Sequence, residues 1–280
     1  MGIVSQMISK NFAVTFSKEG GGDLPEKARR WAEELQAAYL PRYETGSLDQ
    51  MLRDHHLEAL LIASRSGPRV YTSEGTFFYH PGMGTVRWQR VARRGEGDNF
   101  LKALGVRPGQ RVLDCTLGLG ADALLASHAV GETGLVVGLE ASPLLYFLVA
   151  RGIRTYQGKF PELTRDLRRI RVVQAEAGCY LKQLTENSFD VVYFDPMFRQ
   201  PVQQSSAMAP LRPLAYDKTL SGETVREALR VAPKVVIKER SEEILKEYGC
   251  AAFVGTRYSA VRFGIVERNT LCEKKSWSSF

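Results

Sequence analysis

The sequence is poor in cysteine and histidine, with four of each in 280 residues. The cysteines lie far apart and never form a C-x-x-C pair, so neither a zinc site nor a dense disulfide framework is indicated. The histidines show no H-E-x-x-H or comparable ligand spacing. We therefore predict a protein with no metal site and with free thiols in a reducing cytoplasm.

Long apolar runs are also missing. The longest, such as residues 144–150, fall far short of the roughly 18 to 20 residues that cross a bilayer. Residues 1–16 lack a basic segment followed by a long apolar run, which is the pattern of a secretory signal. We expect neither a membrane span nor a secretory signal, and hence a cytoplasmic protein.

The composition, with 44% hydrophobic and 25% charged residues, is that of an ordinary globular protein. Its length suits one large domain or a small domain joined to a larger one. The net charge of +7 favours polyanionic partners such as nucleic acid. Two groups of arginines, at 87–94 and 165–171, could contact phosphate or could equally be solvated faces.

The N-terminal quarter alternates short strands and helices. Strands are predicted at 11–16 and 58–64, and a hairpin at 69–81. Asp23 is expected to cap a first helix and Ser47 a second. We predict a small α/β subdomain over residues 1–75, followed by a larger domain over 76–280.

The larger domain reads as a parallel sheet. Near-continuous apolar strands, typical of a sheet covered on both faces, are predicted at 111–115, 134–140, 170–173, 189–194 and 234–238. Two further strands near the C-terminus read as an antiparallel pair, which gives a seven-stranded, mostly parallel sheet. The helix that begins at Pro143 is expected to end at Gly152 in left-handed geometry.

A glycine-rich turn follows the first of these strands. The strand ends in Asp114 and runs through Gly118 and Gly120 into a helix, and glycine there lets the backbone approach a ligand at the carboxyl end of the sheet. Glu140 ends the next strand, 20 residues after Gly120, from where a carboxylate hydrogen-bonds ribose hydroxyls. The pattern predicts a nucleoside cofactor; the alternative is a tight turn with purely packing glycines.

The fourth strand ends in Asp-Pro-Met-Phe. The carboxylate of Asp195 and the carbonyl of Pro196 can accept hydrogen bonds from an amino group on a planar ring, while Phe198 stacks on the ring face. A dehydrogenase has no obvious use for this tetrapeptide, so it favours S-adenosylmethionine (SAM) over a dinucleotide. The alternative is a strand end followed by a proline turn.

Together, D-x-T-x-G-L-G-x-D at 114–122, the acid at Glu140 and D-P-M-F at 195–198 resemble class I SAM-dependent methyltransferases, which have a Rossmann-like α/β fold. The pattern is similar to the RsmJ-like branch, which methylates guanine N2 of small-subunit ribosomal RNA. The resemblance covers roughly residues 76–266, including the segments 78–87, 93–106 and 204–208. It implies SAM as cofactor and ribosomal RNA as substrate.

Residue by residue, the resemblance implies that a set of positions lies at the cofactor: Asp114, Thr116, Gly118, Gly120, Asp122, Glu140, Glu176, Ala177 and Asp195. Within this set, Glu176 and Ala177 are placed near the adenine, and Asp195 also faces the reacting amine. The chain departs from the family pattern at three positions. Ala121 stands where the family tends to have Arg, Glu176 where it has Ser, and Arg199 where it has Pro.

The sequence thus predicts a SAM-dependent N-methyltransferase acting on an exocyclic amine of a guanine in ribosomal RNA. Two alternatives remain: an N-methyltransferase of a protein or small molecule, and a non-catalytic RNA-binding protein with this fold. Residues 199–220, rich in Gln, Ser and Pro, are predicted either to close over the substrate or to be a connector. The sequence does not indicate an oligomeric state.

Overall fold

A computed structural model describes residues 11–19, 22–42, 46–196, 219–256 and 259–269. Phe198, Arg199 and almost all of the segment 199–220 therefore lie outside the described residues. The chain divides into two compact units, one reaching to His80 and including Ser142–Thr155, and the other containing the remaining described residues. The domain boundary near residue 75 stays a prediction.

The first unit contains a five-stranded sheet in the order β2-β1-β3-β4-β5. β1 is parallel to β2 and β3, whereas β4 is antiparallel to both β3 and β5. The strands are β1 (Phe12–Phe16), β2 (Ala38–Tyr39), β3 (Ala59–Ser64), β4 (Gly67–Thr72) and β5 (Gly75–Phe78). The helices, numbered in chain order, are α1 (Leu24–Leu35), α2 (Leu48–Asp54) and α6 (Pro143–Thr155).

The two predicted helix caps of this unit have different outcomes. The Ser47 hydroxyl accepts a hydrogen bond from the Gln50 N–H at 3.1 Å, so the predicted cap of α2 is confirmed. The prediction for Asp23 is wrong, because its side chain makes no capping hydrogen bond. Its backbone is not extended, and Pro25 removes one of the N–H groups that a cap would satisfy.

The predicted end of α6 at Gly152 is also wrong, since the helix continues to Thr155. A Cβ atom at Gly152 would lie 2.1 Å from the Tyr79 ring. Glycine is therefore required here by close packing rather than by a left-handed turn.

The second unit contains a seven-stranded sheet in the order β11-β12-β10-β9-β6-β7-β8. Neighbouring strands are parallel except at β12, which is antiparallel to both β10 and β11. The predicted fold class is thereby confirmed. The strands are β6 (Arg111–Asp114), β7 (Leu135–Glu140), β8 (Ile170–Gln174), β9 (Val191–Phe194), β10 (Lys234–Glu239), β11 (Ala252–Val254) and β12 (Arg262–Glu267).

Helices connect these strands, and within the described part of the chain none is long and apolar enough to cross a membrane. They are α3 (Met83–Trp88), α4 (Asn99–Leu104), α5 (Ala121–Val130), α7 (Pro161–Arg168), α8 (Ala177–Gln183), α9 (Gly222–Val231) and α10 (Glu242–Glu247), with a π-helical turn at Gln89–Arg93. β6 has β7 on one side and β9 on the other, so the strand order reverses at β6. Ligands of such sheets bind at this reversal, beyond the carboxyl ends of the strands.

Asp166 joins α7 to the helices beside it. This buried carboxylate accepts hydrogen bonds from the Trp88 indole N–H at 2.7 Å and from the Arg169 guanidinium, and His128 Nδ1 lies 2.9 Å from it. Burial alone would raise the pKa of Asp166, but the hydrogen bonds to His128 and Trp88 hold it below its ordinary value. The Asp166 side chain is thus ionised inside the protein, where it links α7 to the helices beside it.

We expect Asp166→Ala to lower the free energy of unfolding by about 3 kcal/mol, because the change leaves buried donors without their acceptor. Urea unfolding at neutral pH measures this decrease. Glu96→Ala is the control, because it removes a surface carboxylate that pairs with Arg90, and it should leave unfolding nearly unchanged. Equal effects of the two changes would contradict the role of Asp166.

Candidate active site

The glycine turn after β6 is bent as predicted. Gly118 and Gly120 have φ of +51° and +75°, in the left-handed region that favours glycine. The turn is fastened to β7, because the Leu117 N–H donates to the Leu139 carbonyl at 2.9 Å. Leu117 also fills the space over Gly138, where a Cβ atom would lie 2.5 Å from its side chain.

Asp114 and Thr116 link the ends of β6 and β9. Asp114 is 2% exposed and accepts a hydrogen bond from the Thr116 N–H at 3.0 Å. The Thr116 hydroxyl in turn accepts a hydrogen bond from the Asp195 N–H at 2.6 Å. Asp114 and Thr116 of the sequence motif thereby fix the backbone of Asp195.

Burial raises the pKa of Asp114 to about 8, against the opposing effect of the Thr116 hydrogen bond. The neighbouring carboxylates of Asp122 and Asp195 act in the same direction as burial. The raised pKa favours the neutral form of Asp114, which lessens the repulsion among the acids of this edge.

Glu140 ends β7, and Glu176 and Ala177 follow β8, so all three lie at the same edge of the sheet. Glu140 is buried at the last position of β7, and its carbonyl accepts a hydrogen bond from the Ala175 N–H at 3.1 Å. The Glu176 carboxylate caps α8 by accepting from the Cys179 N–H at 2.8 Å. Serine is a preferred capping residue, so Glu176 can supply the cap that Ser would give at the family position.

Asp122 lies in the first turn of α5 and has three side-chain partners. Its carboxylate accepts hydrogen bonds from Arg87, from the Tyr193 hydroxyl at 2.8 Å and from Lys238 Nζ at 3.5 Å. Burial would raise the pKa of Asp122, but Lys238 and Arg87 hold it below its ordinary value. The carboxylate thus stays ionised inside the protein, and its contact with cofactor stays a prediction.

Arg87 is part of the site. Its place in the arginine group at 87–94 suggested instead a phosphate contact or a solvated face. Its Nε and Nη2 atoms each lie 3.0 Å from an oxygen of Asp98, and Nη1 reaches Asp122. α3 comes close enough for this because Gly84 packs on the start of α5, where its Cβ would lie 3.0 Å from the Ala121 Cα. The small residue at 121 therefore sits where two helices touch.

Asp195 and Pro196 follow β9 directly. The Oδ2 atom of Asp195 accepts a hydrogen bond from Lys238 Nζ at 2.7 Å, and burial raises the pKa of this carboxyl while Lys238 opposes the rise. Lys238 reaches Asp195 because Phe194 pairs with Ile237, which sets the residue after each of them side by side.

Most of the predicted site residues lie at one edge of the sheet, and acids predominate among them. Phe198 lies outside the described residues. Within the described ranges no group of three or more potential ligands could hold a metal ion.

The residues of this edge fit SAM. The left-handed glycine turn admits a ligand close to the backbone, and the buried Glu140 carboxylate suits ribose hydroxyls. Among the described residues of this edge, the carboxylates outnumber the cations Arg87 and Lys238, which suits the positive sulfonium and amino groups of SAM. A pyrophosphate would be repelled by the same charges.

Comparison with known proteins gives the same assignment. The family model described as "Putative SAM-dependent methyltransferase" matches residues 74–265. This chain belongs to the SAM-dependent methyltransferase family and uses SAM as its cofactor.

Individual relatives extend along most of the chain. A Bacillus subtilis (strain 168) protein named "Uncharacterized protein YpiP" is 38% identical over 244 residues, 87% of this chain and 90% of that protein. Ribosomal RNA small subunit methyltransferase J of Pseudomonas aeruginosa (strain UCBPP-PA14) is 30% identical over 227 residues, 78% of this chain and 81% of that protein. The crystal structure of a SAM-dependent methyltransferase from Neisseria gonorrhoeae has the same fold, with a TM-score of 0.61 at 18% identity, covering 91% of this chain and 95% of that one.

The raised pKa of Asp114 predicts a pH dependence of stability. The unfolded chain releases this proton near the ordinary value of 3.8, whereas the folded chain keeps it up to about 8, so the free energy of unfolding falls as pH rises through this window. Asp114→Asn cannot ionise, and we expect it to gain stability relative to wild type as pH rises. Urea unfolding between about pH 5 and pH 8 measures this difference. A constant difference would show that Asp114 is ionised in the folded protein.

Proposed function

We propose that this methyltransferase transfers a methyl group to the exocyclic N2 amine of a guanine in ribosomal RNA. The observation that carries the proposal is the placement of Asp195 and Pro196 beyond β9, next to the glycine turn, with the Asp195 carboxylate held by Lys238. The name of the Pseudomonas aeruginosa relative supports ribosomal RNA as the substrate.

Asp195 offers one free oxygen to an amine. Lys238 occupies Oδ2, and among the described residues no donor contacts Oδ1. Pro196 has no N–H and a fixed φ, so its backbone contributes only an acceptor at this position. Two acceptors side by side suit the two N–H bonds of an exocyclic amine.

The chemistry needs positioning more than acid or base strength. When bound, SAM supplies a methyl group already activated toward displacement. The nitrogen of an exocyclic amine is a poor nucleophile because its lone pair is delocalised into the ring. Hydrogen bonds from the amine to Oδ1 of Asp195 and to the Pro196 carbonyl localise this pair on nitrogen. The proton that the amine releases passes to Oδ1 of Asp195 or to water.

Phe198, which lies outside the described residues, is predicted from the sequence to stack on the base. A guanine in folded RNA must be unpaired or flipped to reach these groups, at a cost of a few kcal/mol. The exposed apolar residues Met83 and Val86 of α3 lie close to Gly84, which packs on the start of α5. They are suited to contacting bases beside the site.

An arginine face supports a polyanionic substrate. Within the described residues, four exposed arginines of the two sequence clusters have no ion-pair partner, whereas Arg87 and Arg169 bind buried carboxylates and Arg90 and Arg94 lie near Glu96. The two clusters are close in space, because Trp88 at the end of α3 donates to Asp166 of α7 and the Arg93 guanidinium lies 5.0 Å from the centre of the Phe160 ring, just before α7. We call the unpaired set the arginine face; it consists of Arg93, Arg165, Arg168 and Arg171.

The proposal is tested by transfer of labelled methyl from SAM to fractionated ribosomal RNA, protein and small molecules from cells that lack this gene. We expect label in RNA as N2-methylguanine. Asp195→Asn should lower the transfer rate by about a hundredfold or more, because the acceptor charge is removed, while SAM affinity stays within a few fold. Asp190→Asn is the matched control, because Asp190 directly precedes β9, whereas Asp195 directly follows it; this variant should transfer at the wild-type rate.

Label in protein or small molecules would overturn the RNA substrate and keep the methyltransferase. Label on a ring nitrogen or a ribose hydroxyl would overturn the exocyclic amine. Undiminished transfer by Asp195→Asn would overturn the acceptor role of Asp195.

The arginine face predicts a salt-dependent RNA affinity. Removing one arginine that binds a phosphate should weaken RNA binding and reduce the salt slope of the affinity by about 1. We expect this from Arg168→Ala and from Arg171→Ala, measured by RNA titration at several salt concentrations. Arg107→Ala is the control and should leave the slope unchanged. Arg107 is exposed and follows α4, which packs near β11 and β12 at the far side of the sheet. Equal slopes in all variants would contradict the proposed face.

A further inference from the structure

Lys238 contacts two acids of the site at once. Its Nζ atom lies 2.7 Å from Oδ2 of Asp195 and 3.5 Å from Oδ2 of Asp122. The side chain is only 20% exposed, although lysine is normally a flexible surface residue. A lysine held by two carboxylates cannot move freely in solvent, so its confinement here points to a role in the site.

The acid that anchors Lys238 is itself fixed. Asp122 receives hydrogen bonds from Arg87 and from the Tyr193 hydroxyl. Arg87 is held by a bidentate pair with Asp98, which also caps α4. These interactions therefore connect α4, α3, α5 and β10 to the residue after β9.

We infer that Lys238 is a positioning residue, which holds the Asp195 carboxylate in place and in its charged form for the acceptor amine. Its hydrogen bond to Oδ2 turns the second oxygen of Asp195 toward other partners. The inference rests on the proposed acceptor role of Asp195. It extends that role to a residue on the neighbouring strand.

The electrostatics of the pair agree with this role. Charged or titratable side chains around Asp195 come from five elements: Lys238 of β10, Asp122 of α5, Arg87 of α3, Asp114 of β6 and Tyr193 of β9. Burial and Asp122 raise the pKa of Asp195, whereas Lys238 and Arg87 lower it. Without Lys238 the carboxyl would take up its proton at a higher pH, and below that pH it could no longer act as an anionic acceptor.

The direct test follows the ionisation of Asp195 in the protein without substrate. The NMR shift of its carboxyl carbon, assigned by its disappearance in Asp195→Asn, is recorded against pH, so the titration of Asp114 is not mistaken for it. We expect Lys238→Met to move the titration of Asp195 upward by about one pH unit or more. Lys238→Arg keeps the charge and should leave the titration near its wild-type position.

Activity gives the second readout. For Lys238→Met, kcat/KM should fall about tenfold or more at pH values below the shifted titration and recover partly above it, with SAM affinity within a few fold. Lys234→Met is the matched control. Lys234 lies on the same strand and donates to the Leu104 carbonyl at 2.8 Å, away from the site, and its replacement should leave the pH profile unchanged.

The outcomes separate the two proposals. An unshifted Asp195 titration in Lys238→Met, or an equal decrease of activity at every pH, would overturn the role of Lys238. If Lys238→Met unfolds, Lys238→Gln and Lys238→Arg carry the same comparison, because only the arginine variant should preserve the titration. If the Asp195 titration shifts in Lys238→Met but Asp195→Asn is fully active, the ion pair is confirmed. The acceptor role of Asp195 is then overturned instead.

Discussion

An ionised carboxylate in a protein interior must be balanced by cations, and in this methyltransferase that requirement organises the candidate site. Asp122, at the first turn of α5, is balanced by Arg87 from α3 and Lys238 from β10. Because each cation also binds a second acid, the buried charge of Asp122 fixes the position of Asp98 on one side and Asp195 on the other. The Asp195 carboxylate is therefore placed by the packing of several elements.

The balance of charge also explains what the site can bind. Among the described residues of the carboxyl edge acids outnumber cations, and the raised pKa of Asp114 reduces their mutual repulsion. Such an edge attracts the cationic cofactor. Exposed positive charge lies on other residues, such as Arg165 and Arg168.

Much of this could be predicted from the sequence, because strands, their ends and glycine turns leave local patterns. The apolar runs located the parallel strands, and the acids that follow them located the carboxyl edge. The partners of those acids could not be predicted. Arg87 and Lys238 are charged residues whose burial depends on strand register and on a close helix contact at Gly84. Gly152 was misread for the same reason, since its neighbour Tyr79 is distant in sequence.

The central claim is that Lys238 acts through Asp195, and a double-mutant cycle on the rate of methyl transfer tests it most directly. Lys238→Met, Asp195→Asn and the double variant are compared with wild type under single-turnover conditions. The account predicts that Lys238→Met costs about tenfold in the wild-type background and less than about twofold when Asp195 is already Asn. An equal cost in both backgrounds would show that the two residues act independently and would contradict the account.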